Sequence, residues 1–298
     1  MIAWLHSYVS CLHSQQKLLG LFTWMVNIWS TTLTQCILGV TLELTRSGLD
    51  LSRSAVKLKS RNNLITKLAG TSWGAGASTL CTSALPLCYS VAEYCCPVWA
   101  RSSYTNLIDT QLHSALRLIS GSLQHTQLSW LPVLSNVAPP SLCCKAATDN
   151  MLQVVEAHPN WPVYADVFEH PPPRLASRRP ICSDMTSVDT ITQWREDWSL
   201  ASVVNHTFVT DPTIWQPGFD LPCHTWSLMN RFRTGQGPCH ANLLKWGLAQ
   251  SPSCDCDQRQ TINHIVDTCT LTKFVGGLNL LYDAVICLES TATAALVK

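Results

Sequence analysis

Four candidate metal ligands lie close together near the C-terminus, at Cys254, Cys256, His264 and Cys269. This Cys-x-Cys-x7-His-x4-Cys spacing constrains the local fold, because three thiolates and an imidazole can close a tetrahedral zinc site only where the chain turns back on itself. Four protein ligands leave no open position for a catalytic water, so the spacing predicts a structural zinc ion. The alternative is three ordinary thiols beside an unrelated histidine. Asp257 follows Cys256, where a glycine would make the turn easier.

The composition limits what the rest of the chain can do. Its 298 residues can fill one large domain or two ordinary domains. The chain is 46% hydrophobic and 13% charged, and its net charge of +1 gives no overall attraction to nucleic acid or membrane. Any basic surface must therefore be local.

The 15 cysteines do not form a recognisable disulfide framework outside 254–269, and their number is odd. Disulfide scaffolds are normally much smaller chains. The adjacent pairs Cys95-Cys96 and Cys143-Cys144 are also awkward to bridge. We therefore predict a reduced, intracellular protein, cytoplasmic or nuclear, rather than a secreted one.

Residues 18–42 form an uncharged segment that is long enough to span a bilayer. Polar residues interrupt it, among them Asn27, Ser30 and Gln35. We predict that 1–35 is an apolar segment outside the main fold and that the chain does not cross a membrane. A membrane anchor through 18–42 is the alternative.

Apolar residues recur at helical spacing along most of the chain. Helices are predicted at 54–68, 78–94, 104–119, 141–157, 188–200, 225–232, 240–246 and 274–288. The apolar positions of the first are Val56, Leu64, Ile65 and Leu68. The third has an apolar stripe of Ile108, Leu112, Ala115 and Ile119, and Gly121 is its predicted stop. The predicted fold is mainly α, with a helical bundle and a second, smaller helical region that ends in the Cys/His segment. The predicted divisions are an N-terminal segment 1–35, a first region 36–160, a Pro/Arg-rich linker 161–182 and a second region 183–298.

A local basic surface is predicted on the first of these helices. Its basic residues, with no acidic residue between them, are Arg53, Lys57, Lys59, Arg61 and Lys67. Such a row can follow a phosphate backbone, and Ser60, Asn62 and Asn63 can add hydrogen bonds. Arg231 and Arg233 form a second, smaller cationic edge. The alternative is a solvated helix face without a ligand.

Catalytic motifs are absent from the sequence. It has no phosphate-binding Gly-x4-Gly-Lys loop, no Gly-x-Ser-x-Gly elbow and no His-Glu-x-x-His helix. The closest carboxylate pair, Glu196-Asp197, lies in a helical pattern where consecutive side chains point about 100° apart. These two carboxylates are therefore predicted to lie on a solvated face.

Several segments, taken in order, resemble a known family. They are 38–42, 57–64, 67–74, 89–99, 117–121, 130–136, 228–235 and the Cys/His segment 254–269. Together they resemble the C-terminal part of reverse transcriptases encoded by jockey-type non-LTR (LINE-like) retrotransposons. The resemblance covers 36–283.

The resemblance implies that 36–160 holds the end of the palm and a thumb-like helical region, and that 254–269 is a zinc knuckle. In this family the palm carries metal-binding aspartates before the strand that matches 38–42, and no Asp precedes Leu38 here. Two-metal phosphoryl transfer needs such carboxylates. We therefore expect a catalytically dead remnant of an RNA-directed DNA polymerase, not an enzyme as it stands, with residual binding of RNA or DNA and no small-molecule substrate.

Two other functions are compatible with the same residues. One is a zinc-stabilised interaction module without a role in nucleic-acid binding. The other is a membrane-anchored protein that uses 18–42.

Overall fold

The structure is a computed structural model, and it describes residues 34–37, 40–43, 49–70, 74–94, 96–99, 102–169 and 189–273. Most of the N-terminal segment 1–35, most of the alternative anchor 18–42, part of the linker 161–182 and the closing helix 274–288 lie outside these residues. Within the described ranges, no helix combines the length and the apolar character needed to cross a membrane.

The described structure is mainly helical, which confirms the predicted fold class. Its helices are α1 Leu49–Leu68, α2 Ala77–Ala84, α3 Ser90–Glu93, α4 Cys96–Trp99, α5 Asn106–Ser120, α6 Trp130–Ser135, α7 Pro140–Glu156, α8 Pro162–Tyr164, α9 Thr190–Ser199, α10 Cys223–Arg233 and α11 His240–Lys245. Two short strands, β1 Thr34–Ile37 and β2 Val40–Glu43, pair antiparallel. The chain divides into two compact units, Met1–Arg53 and Ser54–Lys298.

Helix α1 begins earlier than predicted, and of its predicted apolar positions only Ile65 is buried. Leu58, Asn62 and Ile65 point into the protein, whereas Val56 and Leu64, two of the predicted apolar positions, are exposed. Both sets recur at helical spacing, so periodicity alone does not choose between them. The buried Asn62 is satisfied, because its Nδ2 donates to the carbonyl oxygen of Gln111 at 2.8 Å.

The predicted helix 78–94 is interrupted at Pro86, as the missing proline N–H requires. Helix α2 ends at Ala84, and the π-helical turn Leu85–Tyr89 carries the chain into α3. Such turns accommodate an irregularity within an otherwise helical run. The guanidinium of Arg61 on α1 donates to the carbonyl oxygen of Leu87 in this turn.

Helix α5 matches its prediction closely, since the predicted stripe Ile108, Leu112, Ala115 and Ile119 is buried. Gly121 ends the helix in the left-handed conformation, with φ of 62°. Helix α10 packs against this end. The Trp226 indole N–H donates to the Ile119 carbonyl oxygen at 3.2 Å, and the Asn230 amide donates to that of Ser120 at 2.8 Å.

We expect Gly121→Ala to destabilise the protein by at least about 1–2 kcal/mol, the cost of a left-handed conformation for an L-residue. A Cβ at Gly121 would also lie 1.9 Å from the Ser227 hydroxyl oxygen of α10. Gly76→Ala is the matched control, because a Cβ there meets nothing within 4 Å. Urea denaturation of both variants measures the difference, and equal midpoints would contradict this account.

A tryptophan-rich core joins helices from both sides of the predicted linker. Its buried residues are Trp130, Val133, Leu134, Leu142, Trp194, Trp198 and Val209. The Trp130 and Trp198 rings meet edge to face, with centroids 5.0 Å apart. The predicted regions 36–160 and 183–298 therefore both contribute residues to this core. The linker predicted at 161–182 stays a prediction.

One pair of cysteines departs from the reduced state that the sequence analysis predicts. Cys96 on α4 and Cys144 on α7 form a disulfide, with Cα atoms 5.7 Å apart. One member of each adjacent pair takes part in this disulfide, and Cys143 stays free. The intracellular compartment stays a prediction.

Candidate metal centre

The first two candidate ligands lie on a tight turn. The Cys254 backbone N–H donates to the Gln258 carbonyl oxygen at 2.7 Å, and the Asp257 N–H donates to that of Cys254 at 2.9 Å. Asp257 adopts the left-handed conformation with φ of 62°. Asp tolerates this conformation better than most residues, so the turn forms without the glycine that the sequence lacks. The turn brings the Cys254 and Cys256 side chains to the same side.

The other two ligands lie at the two ends of one helical turn. His264 begins the π-helical turn His264–Thr268, and Cys269 follows it directly. The Cys269 backbone N–H donates to the His264 carbonyl oxygen at 2.7 Å. This contact closes the turn and directs both side chains toward the Cys254 and Cys256 thiols.

The four donor atoms meet in one place, all within 4.8 Å of one another. The sulfur of Cys269 lies 3.6 Å from that of Cys254 and 3.8 Å from that of Cys256. The Cys256 sulfur lies 3.1 Å from His264 Nε2. In a tetrahedral zinc site with Zn–S bonds of about 2.3 Å, neighbouring sulfurs lie about 3.8 Å apart. The cluster can therefore hold a metal ion with little rearrangement of its sulfurs.

Thr268 orients the histidine of the cluster. Its hydroxyl oxygen lies 2.9 Å from His264 Nδ1, and the hydroxyl reaches the His264 carbonyl oxygen at 3.5 Å. The hydroxyl can donate to that carbonyl and accept from Nδ1–H. This arrangement leaves the lone pair of Nε2 for a metal, as second-shell contacts commonly do. Thr268 is not among the residues predicted from the sequence, although its position four residues after His264 is a usable signal.

Gln260 connects the cysteine turn to helix α11. Its Nε2 lies 3.6 Å from the Cys254 sulfur, and its Oε1 accepts from the His240 backbone N–H at 2.9 Å. An amide donor beside a thiolate stabilises the negative charge on the sulfur. Nothing in the spacing of the ligands pointed to Gln260.

Three of the four ligands are buried, but the apolar core beside the cluster is small. Cys254, His264 and Cys269 are buried, whereas Cys256 is half-buried. The adjacent core consists of Cys239, Ala241 and Ile262, with Phe232 and Ile265 packed against it. A small core of this kind contributes limited hydrophobic stabilisation, so a bound ion would carry a large share of local stability.

The cysteines of the cluster differ in acidity. Hydrogen bonding from the Thr272 side chain, with further backbone N–H groups, lowers the pKa of Cys269 to about 6. The pKa of Cys256 is raised, because burial and the neighbouring Cys254 and Cys269 outweigh its backbone hydrogen bond at Gln258. Hydrogen bonding at Cys269 therefore favours the thiolate, which is the form in which cysteine binds a metal.

The predicted basic row on α1 is largely at the surface. Arg53, Lys57, Lys59 and Lys67 are exposed. Arg61 is half-buried, and its bond to the Leu87 carbonyl oxygen gives it a structural role. The prediction that Asn62 adds contacts to phosphate is wrong, because this side chain is buried between helices.

The prediction that Arg233 belongs to a cationic surface edge is wrong, because its side chain is buried. Its side chain is only 2% exposed. The guanidinium donates to Asn230 Oδ1 at 2.9 Å and to the Pro217 carbonyl oxygen, and it lies 5.3 Å from the centre of the Trp226 ring. A guanidinium held in this way does not reach a phosphate backbone. Arg231 is half-buried, so the second cationic edge is reduced to one partly accessible residue.

The solvated face predicted for Glu196 and Asp197 is confirmed, because both side chains are exposed on α9.

Comparison of the whole chain with protein-family models, with characterised proteins and with solved structures finds no match.

Proposed function

We propose that this chain is a zinc-stabilised, nucleic-acid-binding remnant of an RNA-directed DNA polymerase from a non-LTR retrotransposon. The observation that carries the proposal is the meeting of Cys254, Cys256, His264 and Cys269 within 4.8 Å. Three sulfurs and one imidazole nitrogen form a donor set that zinc prefers, and four protein ligands make the role structural. The polymerase origin is supported by the sequence segments that, taken in order along the chain, resemble non-LTR reverse transcriptases.

The absence of polymerase activity is part of the same proposal. Phosphoryl transfer by two metal ions needs carboxylates that hold both ions. Among the described residues, the Cys/His cluster is the one group of three or more His, Cys, Asp or Glu side chains whose ligand atoms lie close enough together to hold a metal ion. A thiolate-rich closed site suits zinc and does not suit catalytic magnesium.

The proposed contact surface for nucleic acid is the exposed side of α1. Lys57, Lys59 and Lys67 extend into solvent from one helix, and no acidic residue lies among them in the sequence. Lysines on such a surface replace condensed counterions along a phosphate backbone. The expected binding is therefore independent of base sequence and falls steeply with salt.

We expect the double variant Lys57→Gln/Lys59→Gln to bind a mixed-sequence single-stranded RNA more weakly, with a salt slope smaller by about 1.4, because two phosphate contacts are lost. Fluorescence anisotropy at several KCl concentrations measures affinity and slope together. Lys245→Gln is the matched control, since Lys245 is an exposed lysine at the end of α11. An unchanged slope in the double variant, or no RNA binding at low salt, would remove α1 as the contact surface.

A specific observation also favours a zinc-stabilised module that binds another protein. Val56 is 69% exposed and Leu64 is 50% exposed on the same helix that carries the lysines. Exposed apolar side chains on a helix can serve as the anchors with which a helix binds in the groove of a partner protein. This second function predicts zinc-dependent folding without salt-dependent RNA binding, so the anisotropy experiment distinguishes the two.

A further inference from the structure

A cavity of about 320 Å³ lies between the π-helical turn Leu85–Tyr89, α3, α4, α5 and α7. It is within the unit Ser54–Lys298 and includes none of the metal-cluster residues. A volume of this size is at the lower end of the range for small-molecule sites. The site is therefore large enough for a small organic ligand and independent of the proposed zinc and nucleic-acid functions.

Tyr89 lines this cavity with an unsatisfied hydroxyl group. The residue is only 3% exposed, and its hydroxyl oxygen has no hydrogen-bond partner. A buried polar group without a partner is costly and uncommon. Burial is the main cause that raises the pKa of Tyr89 well above its usual value, so the group stays a neutral phenol that can accept a hydrogen bond.

Glu93 adds a carboxylate to the same wall, one helical turn after Tyr89. Burial raises the pKa of Glu93, and a hydrogen bond with Cys143 offsets this only in part. The pKa of Cys143 is raised to about 12, mainly by burial, so this thiol stays protonated and can donate. A carboxylate removed from water in this way is stabilised by a positive charge brought next to it.

The described lining residues favour a cation over an anion. Three carboxylates line the cavity, from Glu93, Asp109 and Asp149, against the single lysine Lys145. Across the described residues these carboxylates are not close enough together to form a candidate metal group. The charge is therefore suited to an organic cation and not to a divalent metal ion.

The remaining wall is apolar, with Ala92, Trp99 and Leu112 among its residues. An apolar wall with a few convergent polar groups selects a ligand that has a charged end and an apolar body. The Trp99 ring can also attract a positive charge through its π-face.

We propose that this cavity binds a small primary ammonium compound with an apolar body. Glu93 supplies the counter-charge, Tyr89 accepts a hydrogen bond from the ammonium group, and the apolar residues contact the rest of the ligand. The combination of a buried unpartnered hydroxyl, a desolvated carboxylate and an apolar wall in one cavity carries the proposal.

Isothermal titration calorimetry of the full chain with 2-phenylethylammonium tests the proposal. We expect one binding site, with weaker binding of the neutral analogue 2-phenylethanol and of the anion 3-phenylpropanoate. No heat of binding for the amine to the folded protein at millimolar concentration, or tighter binding of the anion, would overturn the proposal. These comparisons use the unaltered protein, so they do not depend on the folding of a variant.

Two substitutions then locate the binding site. Glu93→Gln is expected to weaken binding of the amine at least about tenfold, and Tyr89→Phe about three- to tenfold, because a charged and a neutral hydrogen bond are lost. Glu196→Gln is the control, since Glu196 is an exposed carboxylate on α9 outside the cavity. Unchanged affinity in both cavity variants, each checked for folding by circular dichroism, would place the ligand elsewhere.

Discussion

Removal of the proposed zinc ion is expected to unfold the segment 252–269 and to lower the stability of the whole chain. Structural zinc in small domains contributes an apparent binding free energy of about 10–16 kcal/mol near neutral pH. Here only a small core, around Cys239, Ala241 and Ile262, lies beside the cluster. That core cannot replace the ion, so backbone amides of the cysteine turn should lose their protection from hydrogen exchange when a chelator is added.

Cys269→Ser should produce the same loss without a chelator, because the hydroxyl is a much poorer zinc ligand than a thiolate. Cys81→Ser is the matched control, since Cys81 is a half-buried free thiol outside the cluster. Native mass spectrometry should find one zinc ion in the control and none in Cys269→Ser. If the protein purified without zinc showed full protection of 252–269, the structural role of the ion would be refuted.

Trp130→Ala is expected to lower the free energy of unfolding by about 3–5 kcal/mol, as other large-to-small substitutions in cores do. The Trp130 side chain is fully buried. It contacts Trp198 edge to face, and its indole N–H donates to the Val204 carbonyl oxygen at 3.2 Å. The substitution removes a large apolar volume and leaves that carbonyl without its partner.

Urea denaturation measures this loss, with Trp246→Ala as the control because Trp246 is partly exposed. We expect the control to lose less than half as much stability. The loss of unfolding free energy in Trp130→Phe should lie between those of Trp130→Ala and Trp246→Ala, since Phe keeps part of the volume but loses the indole N–H. Equal unfolding free energies for Trp130→Ala and Trp246→Ala would mean that the tryptophan core does not hold the two predicted regions together.

The best sequence predictions are those that depend on neighbouring residues. Helix α5 has one apolar stripe and a glycine stop, and the structure places both as predicted. The turn at Cys254 also forms locally, with Asp257 in the left-handed conformation. Backbone propensity and short-range hydrogen bonds determine such features.

In helix α1 the apolar periodicity of the sequence does not determine which side chains are buried. Its sequence carries two overlapping apolar sets, one containing Leu58 and Ile65 and the other containing Val56 and Leu64. The structure buries the first set and exposes the second. The choice is made by packing against other helices, including the bond from Asn62 to the Gln111 carbonyl oxygen.

The sequence by itself determined the mainly helical fold and the four candidate ligands, because residue types and short spacings encode both. Only the tertiary structure decided which basic residues reach solvent. Arg233 looks like its neighbour Arg231 in the sequence, yet it lies over Trp226 and donates to Asn230 Oδ1 in the interior. Burial results from contacts between distant parts of the chain, and a local sequence pattern does not predict such contacts.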